Sequence, residues 1–142
     1  MTGWLLDTNV ISELRRPRPE QKVLDFIAAQ PIERLYISVV SFAEIKFGIE
    51  LITDAARRAE LHDWLTLRVR PMFRQRALAI SEEVMLKWRL LVEEGRKIRH
   101  TFSQPDLIIA ATALQHDLVI VTRNESDYRL AKVSVLNPWR EG

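Results

Sequence analysis

The 142-residue chain contains no cysteine. That absence excludes a disulfide scaffold, an iron–sulfur cluster, a thiolate zinc site and a cysteine nucleophile. Glycine is scarce, at 4 residues, and no Gly/Ser linker, low-complexity tract or internal repeat divides the chain. No apolar run approaches the ~18 residues that a membrane span requires. The start, Met1-Thr2-Gly3-Trp4-Leu5-Leu6-Asp7, has no basic stretch and meets an acid after two leucines, which is unlike a secretory leader. A P-loop, a G-x-G-x-x-G turn and a Ser-His-Asp set are all missing. What remains, 47% apolar and 28% charged, is the composition of one soluble globular domain over residues 1–142, expected in the cytoplasm.

Charge is nearly balanced, at +2 overall, but it is unevenly spread. Residues 55–100 carry 11 basic and 6 acidic side chains, while residues 1–54 carry 6 and 8. Arginine dominates the basic middle, and arginine suits bidentate contact with phosphate. A solvated helix face explains the same pattern. A basic patch beside an acidic site also fits a polyanion held over bound metal.

Strand and helix signals alternate along the chain. Trp4-Leu5-Leu6 reads as a short buried strand, with a helix beginning near Val10 and stopped by Pro17 and Pro19. Glu20 to Ala29 reads as a helix, Leu35 to Ser38 as a strand, Ser41 to Ile52 as a helix, and Asp54 to about Leu67 as another. Ala77 to Ile80 reads as a strand, and Ser81 caps a helix running to about Gly95. Ser103 and Pro105 open a helix that is apolar nearly all round and therefore buried. Leu118 to Val121 is an unalternating strand, and Val133 to Leu136 an edge strand. This rhythm predicts an α/β fold, with a parallel central sheet flanked by helices on both faces.

Parallel sheets bind ligands beyond the carboxyl ends of their strands. Four acids fall at that edge. Asp7 follows the first strand, and Glu44 lies in the first turn of the helix after the second. Asp106 lies in the first turn of the buried helix, and Asp127 in the loop after the strand ending at Val121. Each also has a plain structural role. Asp7 can cap the following turn, and Ser41-Phe42-Ala43-Glu44 matches a capping box. Asp106 can serve the helix dipole, and Asp127 can pair with Arg123 or Arg129. Four such accidents at one edge explain the pattern less well than one site does. Clustered carboxylates raise each other's pKa, and a divalent cation removes the conflict. Oxygen donors without cysteine favour Mg²⁺ or Mn²⁺ over zinc, and His62, His100 and His116 show no ligand spacing. Such an ion can activate water against a phosphodiester.

Four segments resemble the motifs of PIN-domain ribonucleases. They are Leu5 to Leu14, Ser38 to Gly48, Pro105 to Ala113 and Val121 to Tyr128, in order along nearly the whole chain. The set is similar to VapC-type toxins of prokaryotic toxin–antitoxin pairs, including the FitB-like branch. The resemblance implies a PIN-like fold and an endoribonuclease toxin dependent on Mg²⁺ or Mn²⁺. It implies a metal-binding core of Asp7, Glu44 and Asp106, with Asp127 as the fourth catalytic acid and Thr122 and Asn124 in support. It also implies an RNA substrate, a cognate antitoxin, a homodimer, and operator DNA reached only through the antitoxin. Arg15, Arg16, Arg18 and the run from Arg96 to His100 are then candidates to hold the RNA backbone. Two other readings are a non-catalytic metal-binding interaction protein and a DNA-directed nuclease. A receiver domain fits poorly, because no lysine follows a late strand: Thr122-Arg123 stands there.

Overall fold

The computed structural model describes residues 2–140. The chain runs β1 (Trp4–Leu6), α1 (Thr8–Leu14), α2 (Gln21–Ala29), β2 (Leu35–Ser38), α3 (Val39–Glu50) and α4 (Ala55–Trp64). A π-helical stretch at Leu65–Val69 leads into the one-turn α5 (Arg70–Phe73). Then come β3 (Ala77–Leu78), α6 (Glu82–Lys97), α7 (Gln104–His116), β4 (Val119–Val121), α8 (Glu125–Leu130) and β5 (Val135–Leu136). All five strands are parallel, in the order β3-β2-β1-β4-β5. The expected α/β architecture is therefore the observed one.

Strand geometry sends successive side chains to opposite faces. Leu5 and Ile120, paired across β1 and β4, enter one core with Val84 and Leu91 of α6 and with the apolar face of α7. Leu6 and Val121, the next pair along, enter the other core with Val10, Ile11, Phe42, Ile45 and Ile49. Both faces are covered, which is why these strands read as unbroken apolar runs. In α7, Leu107 and the run from Ile109 to Ala113 are all buried. The one buried hydroxyl among them, on Thr112, donates to the Ile108 carbonyl at 2.8 Å.

Boundaries shift where side chains cap backbone. Helix α3 begins at Val39 rather than Ser41, because the Ser38 hydroxyl accepts the Val40 N–H at 3.0 Å. Ser41-Phe42-Ala43-Glu44 is therefore not a capping box, and Glu44 lies in the second turn. Strand β3 covers only Ala77 and Leu78, and α6 continues past Gly95 to Lys97. Ser81 does cap α6, accepting from the Val84 N–H at 3.2 Å.

From β1 the chain builds outward through β2 to β3, then crosses back to place β4 against the other side of β1. The order reverses between β1 and β4, and that is where a crevice opens in such sheets. Ile120 is fully buried at the centre of this arrangement. Ile120→Ala is expected to cost about 2–5 kcal/mol by removing buried methyl and methylene groups and leaving a cavity. Urea unfolding followed by circular dichroism would measure it, with the midpoint falling and the slope unchanged.

Candidate active site at the β1–β4 switch point

Asp7 leaves β1 with its backbone still in the sheet, its N–H donating to the Val121 carbonyl at 3.0 Å. Its side chain caps α1, with Oδ1 accepting the Thr8 N–H at 2.8 Å. The capping role and a chemical role therefore coexist. Only 3% of Asp7 is exposed. A carboxylate taken so far from water needs strong donors. Thr122 Oγ1 donates to Oδ2 at 2.8 Å, the Tyr128 hydroxyl at 3.1 Å, and Asn9 Nδ2 more distantly at 3.5 Å.

Thr122 is the junction of this arrangement. Its hydroxyl, besides donating to Asp7, accepts Asn9 Nδ2 at 3.1 Å and the Asn124 N–H at 3.0 Å. Asn9 closes the circuit by accepting the Arg123 N–H on Oδ1 at 3.2 Å. The loops after β1 and β4 are thus stitched together by side chains of both. The Asn124 contribution is through its backbone, and its side chain is exposed.

Asp106 stands in the first turn of α7 and accepts the Tyr128 hydroxyl on Oδ1 at 3.4 Å. Burial raises its carboxyl most, followed by the charges of Asp7 and Asp127 and, more weakly, Glu44. The Tyr128 hydrogen bond opposes them, and the result is about 6. Asp7 is raised as well, by burial, against the hydrogen bonds from Thr122, Thr8 and Tyr128. The topology therefore brings all four acids within electrostatic reach. Glu44 reaches in from the second turn of α3, along a groove it shares with Val40, Pro105 and Ile108.

Asp127 differs from expectation. It lies within α8 rather than a loop, and its partner is His100 Nε2 at 3.1 Å, not Arg123 or Arg129. Arg129 instead pairs with Glu125 at 2.8 Å. Arg123 lies 5.4 Å from the Trp139 ring centre. Part of the basic set expected to hold phosphate pairs locally at the surface: Arg16 with Glu13, Arg96 with Glu93 and Lys97 with Glu94. The member of that set that reaches the acids is His100. Tyr128 and Asn9 had not been singled out from the sequence. The Asp7-Thr8-Asn9 turn signal pointed near Asn9, but nothing local marks the Tyr128 hydroxyl as facing two acids.

Among the described residues, no three acids or histidines, the expected Asp7, Glu44 and Asp106 included, stand together as a group that could hold a metal ion. The donor set still fits a hard cation that retains water. It is all oxygen, Asp7 and Asp106 are both destabilised by burial and Asp106 by neighbouring charge as well, and Mg²⁺ commonly uses one or two carboxylates.

A PIN domain family model matches residues 4–134. Toxin FitB of Neisseria gonorrhoeae is 34% identical over 137 residues, spanning 96% of this chain and 99% of that protein. VapC ribonuclease Y4jK of Sinorhizobium fredii is 34% identical over 135 residues, spanning 95% of this chain and 96% of that one. The crystal structure of FitAcB from Neisseria gonorrhoeae superposes with a TM-score of 0.91 at 34% identity, over 96% of this chain and 99% of its counterpart. The chain belongs to the PIN-domain family. Within that family, its resemblance to VapC-type toxins and their FitB branch holds across nearly its whole length.

Two measurements follow from the site. Thr122→Val keeps the shape but strips a donor from buried Asp7 and an acceptor from the Asn124 N–H. It should destabilise the protein by about 1–3 kcal/mol, read by urea unfolding in EDTA. An acid raised on folding stabilises the fold below its unfolded pKa, and that stabilisation is lost as pH rises through the folded value. For Asp106 the window runs from 3.8 to about 6. In EDTA, the melting temperature of Asp106→Asn relative to the parent should therefore rise across that window and level off above it.

Proposed function

We propose that this protein is a divalent-cation-dependent endoribonuclease, the toxin of a toxin–antitoxin pair, acting in the cytoplasm. The observation that carries this reading is the convergence of Asp7, Asp106, Glu44 and Asp127 at the β1–β4 switch point of a PIN fold. The names of the relatives, Toxin FitB and VapC ribonuclease, support it. So do the absent cysteines, which leave an oxygen-only site.

Asp7 and Asp106 would hold Mg²⁺ or Mn²⁺, with Glu44 completing the metal-binding edge and Asp127 the catalytic acid set. Such an ion, when bound, supplies Lewis-acid activation of water and charge stabilisation at a phosphodiester. The chain's own residues do the orienting. Thr122, Thr8 and Tyr128 fix the Asp7 carboxylate. His100 holds Asp127 at 3.1 Å. A raised Asp106 carboxyl is partly protonated in slightly acidic solution, so cation binding there releases a proton and weakens as pH falls. The expected partners are RNA, a cognate antitoxin and a second copy of the chain, with operator DNA engaged through the antitoxin.

Purified, partner-free protein incubated with total cellular RNA and Mg²⁺ or Mn²⁺ should produce discrete fragments. EDTA should abolish them. Asp7→Asn and Asp106→Asn should each lower the rate by about a hundredfold or more, the scale of losing a directly acting electrostatic group. Cleavage that survives EDTA would overturn the metal dependence. Cleavage of single-stranded DNA in preference to RNA would overturn the substrate class.

A further inference from the structure

We propose that Tyr128 is a positioning residue, its hydroxyl tying Asp7 to Asp106 and thereby setting how the two carboxylates are presented to a divalent cation. This rests on the metal-dependent reading above. The hydroxyl carries one hydrogen and faces two carboxylate oxygens on different elements, Asp7 Oδ2 at 3.1 Å and Asp106 Oδ1 at 3.4 Å. It therefore shares that hydrogen between them. The ring has almost no freedom: Tyr128 is 1% exposed and lies in the core among α7, α8 and β4. Its backbone is pinned as well, since the Val133 N–H donates to the Tyr128 carbonyl at 3.1 Å.

A phenylalanine would fill the same core volume without burying a hydroxyl. Burying a hydroxyl is unfavourable unless it is hydrogen-bonded. Here both of its acceptors are the acids of the site. Asp7 has further donors in Thr122 and Thr8, whereas Asp106 enters this hydrogen-bonded group through Tyr128. Among the described residues, the Tyr128 hydroxyl thus hydrogen-bonds both carboxylates. Engaging one oxygen of each, it orients their remaining lone pairs. Partners of this kind behind ligating carboxylates typically change metal affinity ten- to a hundredfold.

Mn²⁺ binding to the full-length protein, followed by water-proton relaxation, tests the proposal, with Asp7→Asn as the control. Tyr128→Phe should keep the circular dichroism spectrum and raise the Mn²⁺ dissociation constant about ten- to a hundredfold. An unchanged constant in folded Tyr128→Phe overturns the proposal and leaves the metal reading standing. Absence of saturable, Asp7-dependent Mn²⁺ binding by the parent overturns both. A second measurement does not depend on how Tyr128→Phe folds. The chain has 2 tyrosines, Tyr36 and Tyr128, so ¹³Cζ-tyrosine labelling with Tyr36→Phe isolates the Tyr128 resonance. That resonance should shift as Mg²⁺ saturates the protein, and one that stays in place overturns the proposal.

Discussion

A buried carboxylate is the constraint on which the rest of the structure turns. Asp7 sits at the end of the central strand, where placing a charge away from water is costly unless donors meet it. Thr122 comes from the strand on one side of β1, Thr8 from the helix that follows it, and Tyr128 from a helix more than 100 residues later. The sheet order explains why they can meet. Because β4 packs directly against β1, the residue just past each strand end falls beside the other. The polar group around Asp7 is therefore a product of topology as much as of local sequence.

The fold was legible because its signals are strong and repeated. Trp4 to Leu6, Leu35 to Ser38 and Leu118 to Val121 are short apolar runs bounded by turn residues, and the even apolarity of α7 announced a helix with no solvent face. Element ends were less legible, because they hang on single hydrogen bonds. Ser38 and Ser41 are both plausible caps before one helix, and only the structure shows the Ser38 hydroxyl on the Val40 N–H. Ser41 is buried and instead accepts the Thr8 hydroxyl at 2.9 Å, joining α3 to the start of α1.

The acids were legible as positions but not as partners. The alternation of strand and helix places Asp7, Glu44, Asp106 and Asp127 at one edge of a parallel sheet, and the structure brings them within electrostatic reach of one another. The pairing of Asp127 with His100 was not readable, because 27 residues separate them and His100 is turned off the end of α6 by Arg99 in a left-handed conformation. The arginine surplus of residues 55–100 was legible as composition and is mostly exposed, but the count did not show which of these arginines are tied locally. Arg58 donates to the Ile52 carbonyl, Arg76 to the Leu35 carbonyl, and Arg70 lies over the Phe42 ring. A charge count cannot separate arginines that tie backbone from those that face a ligand, since the same guanidinium does both.

The adjacency of β1 and β4 also sets when the surroundings of Asp7 can be completed. The Asp7–Thr122 hydrogen bond spans 115 residues, and β1 gains its inner neighbour only when Val119 to Val121 are available. In chain order β1, β2 and β3 all precede β4, so Asp7 is synthesised long before Thr122 and Tyr128, the donors that meet its carboxylate. Site assembly is then the last act of synthesis rather than an early one. A chain cut short anywhere before β4 lacks both Thr122 and Tyr128, and so lacks two of the donors that hold Asp7.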